Sequence, residues 1–176
     1  YLHGDCLTIT GNSLATNLDG INCAEDHQVI RPVGQPVDER RGLGILAGIL
    51  APDGAFGCFN CSDQMADHQP YVGNARCFDS ADAALAIVQR CDYRDGDVFV
   101  LRYQGPQGGP GMPEILDVPA TLFGQGAGGN VAVINDGCLD VVVSGLYIGH
   151  IGPEAAVGGP IALLQDGDQI IIDMAA

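Results

Sequence analysis

Residues 98–103 form an apolar, β-rich run that leads within one residue into Gly105-Pro106-Gln107-Gly108-Gly109-Pro110-Gly111-Met112. The run predicts a buried strand. The next eight residues hold four glycines and two prolines, so neither a strand nor a helix can continue through them. Pro113 then suits the first position of a helix, where its missing N–H costs nothing, and Glu114 suits that helix's positive end. A buried strand, a glycine-rich loop and a helix start in this order point to a mixed α/β or α+β architecture and away from a helical bundle.

The rest of the chain fits that frame. Residues 7–10 read as a short strand, followed by a short helix that ends near Leu18. Residues 24–39 are polar and contain proline, which predicts an ordered loop with a brief strand at Val29 and Ile30. An apolar strand over 43–50 meets the turn Pro52-Asp53-Gly54, and residues 55–60 return as its partner. Residues 75–78 are another strand, and Ser80 is a good N-cap for a helix through Arg90 with Asp82 in its first turn. Pro119 is expected to interrupt the helix begun at Pro113, with Leu122 and Phe123 in a second short turn. Strands are expected at 130–135, 141–143, 160–164 and 169–173, with a helical turn over 153–156. No internal repeat is present, and 176 residues suit one domain.

Charge narrows the function. Seven Arg and no Lys face 22 acidic residues, a formal net charge of −15. Such a surface repels nucleic acid and anionic membranes, because phosphate binding needs a basic patch. The acidity reads as solubility, with a high-salt host as the sharper alternative. No apolar run is long enough to span a bilayer. The seven cysteines are scattered and odd in number, which favours reduced, mostly buried thiols and a cytoplasmic setting over a disulfide framework. Cys58-Phe59-Asn60-Cys61 has the spacing of a redox or zinc pair, yet no second pair accompanies it and no βαβ context surrounds it, so buried or incidental thiols are the reading. His150, alone in an apolar context, reads as a hydrogen-bonded structural residue.

Four stretches carry a resemblance. Residues 101–114 (Leu-Arg-Tyr-Gln-Gly-Pro-Gln-Gly-Gly-Pro-Gly-Met-Pro-Glu), residues 149–162 (Gly-His-Ile-Gly-Pro-Glu-Ala-Ala-Val-Gly-Gly-Pro-Ile-Ala), His3-Gly4-Asp5-Cys6-Leu7-Thr8-Ile9-Thr10-Gly11 and Leu50-Ala51-Pro52-Asp53-Gly54 are similar, in order and spacing, to the dihydroxy-acid and sugar-acid dehydratases. The resemblance covers essentially the whole chain. It implies a swivelling β/β/α domain, a barrel-like mixed sheet flanked by helices, as the C-terminal part of a hydro-lyase. It also implies that a larger N-terminal domain, carrying an iron–sulfur cluster and most ligands of a magnesium ion, lies outside residues 1–176, whose two ends read as cut from a longer chain. The implied reaction removes water from a 2,3-dihydroxy acid and yields a 2-keto acid. The form of residues 108–111 leans toward the dihydroxy-acid dehydratase of branched-chain amino-acid biosynthesis. The resemblance further implies a homo-oligomer, and no turnover by these 176 residues alone.

The resemblance assigns roles by position. Glu114 is the implied magnesium ligand, and an oxygen donor suits that hard cation; the alternative is a glutamate stabilising a helix N-terminus. Gly108, Gly109, Gly111 and Met112 would bring backbone close to the substrate, since glycine has no side chain to obstruct the approach; the alternative is a tight strand-to-helix connection. Asp140 stands where the family has its serine base, and Cys138 where it has an arginine. Val141, Val142, Ser144, Gln104, Gln107, Asn12 and Cys58 replace two glycines, an arginine, an acid and three lysines of the family pattern. A carboxylate is a competent base, but it is charged near neutral pH and would face an anionic substrate without the arginine. Three readings follow: a dehydratase domain for a branched-chain or sugar acid, a catalytically degenerate structural or assembly domain, and a stand-alone swivelling domain that pairs with a separate large subunit.

Overall fold

The computed structural model describes residues 2–21, 31–32, 34–35, 43–58, 70–109, 115–138 and 145–173. By contacts the chain divides into two units, 1–39 and 40–176.

Among its described residues the first unit holds one helix, α1 (Leu14–Leu18), capped by the Ser13 hydroxyl, which accepts from the Thr16 N–H at 3.2 Å. Residues 7–10 do not form the expected strand. Leu7 makes a single bridge to Ser13, and the Thr8 side chain instead bonds Thr10 at 2.9 Å and accepts from Asn17 Nδ2 at 2.7 Å. Threonine hydroxyls that find local partners compete with a ladder in this way.

The second unit is a seven-stranded mixed sheet curled into a half-barrel. Its strands are β1 (Leu43–Leu46), β2 (Gly54–Cys58), β3 (Tyr71–Phe78), β4 (Asp97–Leu101), β5 (Ala132–Asn135), β6 (Tyr147–Gly152) and β7 (Gln169–Ile172), in the order β1-β2-β6-β5-β4-β3-β7. The four central strands β6, β5, β4 and β3 are parallel. β2 and β1 extend the sheet antiparallel on one side and β7 on the other. Helix α2 (Ala81–Gln89) crosses from β3 to β4, and α3 (Asp117–Gly124) lies between β4 and β5. These are the covered parallel strands of an α/β sheet, and β4 and β5 are accordingly apolar on both faces.

Alternation assigns the two faces. Phe99, Leu101, Val133 and Tyr147 pack with Ala84, Val88, Val118 and Leu122 of α2 and α3. Val98, Val100, Ala132, Ile134 and Ile148 point the other way and pack with Ile161, Ile170 and Ile172. The second face holds a cleft of about 660 Å³ lined by Leu50, Ile148, Ile151, Leu164 and β7.

Ser80 caps α2 as expected, accepting from the Ala83 N–H at 3.2 Å. Pro119 does not interrupt a helix: α3 starts at Asp117, so Pro119 lies in its first turn, where an N–H has no helical partner, and Leu122 and Phe123 continue the same helix. Pro160–Leu163 is a 3-10 turn, not a strand. Central strand β6 has no counterpart among the expected strands, because Gly149 and Gly152 dilute its β signature. The strands expected at 29–30 and 141–143 lie outside the described residues, as do Cys61 and the start of a helix at Pro113.

Among the described cysteines only Cys58 is fully buried, Cys77 and Cys138 are half-buried, and Cys6 and Cys91 are exposed. The expectation of mostly buried thiols is thus corrected: Cys6 and Cys91 are exposed, on turns that carry no core. No helix among the described residues is long and apolar enough to cross a membrane.

Candidate functional site

The parallel strands β4, β5 and β6 end together. The glycine-rich loop leaves β4, the Asn135-Asp136-Gly137-Cys138 segment leaves β5, and the Pro153-Glu154-Ala155 turn leaves β6. The crevice beyond the carboxyl ends of parallel strands is where open α/β sheets bind ligands. The turn before β2 joins this end of the sheet, where the Asp53 N–H donates to the Gly152 carbonyl at 3.0 Å. Three of the four motif stretches therefore meet here. The fourth, at residues 3–11, belongs to the other unit.

Two buried carboxylates hold the segments together. Asp136 is 3% exposed, whereas most other described acids are at the surface. Its Oδ1 accepts from the Gln104 N–H at 2.8 Å. Its Oδ2 accepts from the N–H groups of Tyr103 at 3.1 Å and Ala155 at 2.8 Å. Glu154 Oε2 accepts from the N–H groups of Gln107 and Gly108, both at 3.0 Å. Hydrogen bonds to a charged acceptor are about twice as strong as neutral ones, which offsets part of the cost of burying these acids.

Small residues make the close approach possible. A Cβ on Gly105 would lie 2.4 Å from Glu154 Oε2, and one on Gly137 would lie 2.4 Å from the Gln104 carbonyl oxygen. Gly137 donates to its neighbour Asn135 Oδ1 at 2.6 Å and accepts from the His150 N–H at 2.7 Å. The backbone of His150 is left-handed, with φ 54°, and its ring meets Phe56 edge-on at 5.8 Å.

Of the residues singled out in the sequence, Gly108 and Gly109 are brought to this end of the sheet. Their N–H groups turn inward, Gly108 to Glu154 and Gly109 to the Gly105 carbonyl at 2.7 Å. Gln104 is almost buried and donates through its side chain to the Arg102 carbonyl at 2.8 Å. Cys138, where the family pattern has an arginine, is half-buried directly after Gly137. Gly111, Met112, Glu114 and Asp140 lie outside the described residues. Among those described, no three His, Cys, Asp or Glu side chains gather to hold a metal ion. Asp136 and Glu154, the side chains that organise this region, were not singled out by sequence reasoning. Asp136 directly follows β5 and Glu154 lies one proline beyond β6, and no local pattern marks either acid as the partner of another segment.

Comparison with known proteins fits this arrangement. Residues 28–176 match the family model described as dihydroxy-acid/6-phosphogluconate dehydratase C-terminal. The dihydroxy-acid dehydratase of Parvibaculum lavamentivorans is 50% identical over 98% of this chain and 30% of its own length. Dihydroxy-acid dehydratase 2 of Mesorhizobium japonicum is 48% identical over 98% of the chain and 29% of its own length. For the dihydroxy-acid dehydratase of Sulfurisphaera tokodaii the identity is 44%, over 98% of the chain and 30% of the relative. The chain thus spans about 30% of the length of these relatives. With a match over 149 of 176 residues and three of the motif stretches gathered at one end of the sheet, the chain belongs to the dihydroxy-acid/6-phosphogluconate dehydratase C-terminal family.

Proposed function

We propose that this chain is the C-terminal domain of a hydro-lyase that removes water from a 2,3-dihydroxy acid, and that its partner is a larger N-terminal dehydratase domain. The observation that carries the reading is the convergence of the glycine-rich loop, the 135–138 segment and the 153–155 turn on Asp136 and Glu154 at the carboxyl ends of β4, β5 and β6. In the reaction a base takes the proton from C2, hydroxide leaves C3, and the resulting enol tautomerises to the 2-keto acid. The branched-chain dihydroxy acid is the favoured substrate class.

Within this reading Asp140, four residues beyond Asp136, occupies the base position. Gly108, Gly109, Gly111 and Met112 form the substrate-side backbone wall. The inward N–H groups of Gly108 and Gly109 mean that these two contribute close approach, not hydrogen bonds, to a ligand. The described residues do not themselves make a magnesium site, since they hold no cluster of three ligand side chains and the Asp136 and Glu154 oxygens are taken up by backbone N–H groups. Glu114 is proposed as one oxygen donor from this chain, with the remaining magnesium ligands and the iron–sulfur cluster carried by the N-terminal domain. Bound there, these groups would supply Lewis acidity for the developing charge and the departing hydroxide. A homo-oligomer working in the cytoplasm completes the proposal.

The test is dehydration of 2,3-dihydroxyisovalerate and a panel of sugar acids by the full-length protein, with Asp140→Ser assayed beside it. Turnover by the natural protein that Asp140→Ser does not improve supports a working carboxylate base. Turnover that appears only with Asp140→Ser, or in neither protein, replaces this reading with the catalytically degenerate one, which the changes at Cys138 and Asp140 favour.

A further inference from the structure

The dehydratase reading gives Asp136 and Glu154 no role, since the proposed base and the proposed metal ligand fall elsewhere. We propose that the two are positioning residues, which hold the glycine-rich loop in the disposition that turnover requires; this inference rests on the dehydratase reading.

Their bonds form a closed circuit. Asp136, at the end of β5, takes the N–H groups of Tyr103 and Gln104 where the loop begins, and the N–H of Ala155 beyond β6. Glu154, the residue before Ala155, reaches back to Gln107 and Gly108 at the loop's tip. Both ends of residues 103–108 are thereby fixed to the two neighbouring strand ends. The chain carries Glu114 six residues after Gly108 and Asp140 four residues after Asp136. One hydrogen-bonded circuit therefore sets the starting points from which both proposed chemical groups are reached.

Connecting strands does not by itself require such an arrangement. At other turns of this sheet, exposed or half-buried aspartates each accept a single backbone N–H: Asp97 Oδ2 from Arg94 at 3.0 Å, Asp168 Oδ2 from Gln165 at 2.8 Å and, at longer range, Asp166 Oδ1 from Cys77 at 2.7 Å. The Asp136 and Glu154 bonds span 19 to 47 residues and are buried or half-buried. Buried carboxylates are costly unless their oxygens are filled by donors. Here the geometry fills them with five backbone N–H groups and leaves the loop little room to shift, because Gly105 and Gly137 sit in van der Waals contact with the circuit.

The two acids differ in what an amide can replace. A glutamine at 154 can present one carbonyl oxygen to both Gln107 and Gly108, since Oε2 accepts from both at 3.0 Å and Oε1 adds only a longer second contact to the same Gln107 N–H at 3.3 Å. An asparagine at 136 cannot serve, because both oxygens accept, and its NH2 would face an N–H.

The experiment uses the full-length protein, with amide hydrogen exchange across residues 103–109 and steady-state kinetics on 2,3-dihydroxyisovalerate, each variant assayed well below its melting midpoint. Glu154→Ala is expected to speed exchange at Gln107 and Gly108 and to lower kcat by about 100-fold, the scale of a misplacement near 1 Å, with KM little changed. Glu154→Gln is expected to keep slow exchange and most of kcat, while Asp136→Asn loses both. Fast exchange with undiminished kcat in Glu154→Ala, or an equal loss of kcat in Glu154→Gln with the loop still protected, overturns the positioning role. A wild-type protein without turnover overturns the dehydratase reading and the positioning role with it. That outcome is distinct from the case in which wild type and Glu154→Ala turn over alike, which removes the positioning role alone.

Discussion

The two ends of the parallel strands are fastened at different depths. At the carboxyl end two buried carboxylates, Asp136 and Glu154, bind five backbone N–H groups, and Arg102 beside them donates to the carbonyls of Ala162 and Leu164. At the amino end no carboxylate is fully buried among the described residues. The Tyr71 hydroxyl donates to the carbonyls of Asp97 at 3.2 Å and Asn130 at 2.9 Å, and Arg76 donates to the Asp92 carbonyl and pairs with Asp97 at 3.3 Å. The amino end thereby closes the sheet with one neutral hydroxyl and a half-exposed ion pair, the ordinary means of fastening a turn. The carboxyl end uses buried charge, which only a tightly fixed geometry makes worthwhile. Functional geometry is expected where the costlier fastening is found.

The comparison breaks most visibly at glycine. Gly137, at the carboxyl end, has no room for a Cβ, which would lie 2.4 Å from the Gln104 carbonyl oxygen and 2.8 Å from its carbon. Both are backbone atoms, so the loop itself must move. Gly137→Ala is expected to cost about 3 kcal/mol, the upper part of the range for overpacking. Gly96, at the amino end, has φ 87° and open space around it. Gly96→Ala carries only the strain of a left-handed alanine, about 1 kcal/mol. Urea midpoints of the two variants check this, and equal losses would erase the distinction between the ends.

A hydroxyl at the amino end gives a smaller effect with a pH signature. Burial, opposed in part by a backbone hydrogen bond at Ala132 and reinforced by the Asp97 and Asp95 carboxylates, pushes the Tyr71 phenol up to about 12 from its ordinary 10.0. A raised phenol favours the protonated form in the folded chain. The stabilisation is complete below pH 10 or so, and it is lost as pH rises toward about 12, where the unfolded chain ionises first. Tyr71→Phe removes the two bonds to carbonyls and is expected to cost roughly 1 kcal/mol at neutral pH. The gap between wild type and variant should then shrink through the alkaline window, measured as unfolding free energy against pH. A gap that stays constant from neutral to strongly alkaline pH would mean that the phenol does not titrate with folding.

Much of this division was legible in the sequence, for reasons that differ by element. Val98 to Leu101 and Ala132 to Asn135 announced central strands because burial on both faces leaves them apolar at every position. Ser80 announced α2 because its cap is local, three residues from its donor. The motif stretches announced the family. β6 was not legible, since a strand half made of glycine and histidine holds its place through neighbours on both sides, β2 and β5, and not through propensity. Residues 160–164 misled in the opposite sense: Pro160 and four apolar residues suit a strand, yet Pro160–Leu163 turns under the sheet as a 3-10 segment around the fully buried Ile161. Asp136 and Glu154 stayed hidden for a third reason. Their donors are 19 to 47 residues away, and no local pattern reveals that a carboxylate will be filled by backbone from another segment.

The smallest effect is expected at Arg76. Its guanidinium is held by the Asp92 carbonyl, by Asp97 at 3.3 Å and by the ring of Phe99, whose centroid lies 5.4 Å away. The side chains of the ion pair are 28% and 14% exposed, so solvent screens the attraction. Arg76→Gln removes the charge, the planar fork and the stacking, and the expected cost is within about 1 kcal/mol. Part of that cost should vanish in about 1 M salt, where the screening length falls to roughly 3 Å. Urea unfolding at low and high salt reads this directly. The same salt change should leave the Glu154→Ala deficit untouched, because the Glu154 oxygens face backbone N–H groups and not a counter-ion across solvent. A deficit at Glu154 that shrinks with salt as much as the one at Arg76 would mean that the carboxyl-end fastening is as exposed as the amino-end one, and the contrast between the two ends would fail.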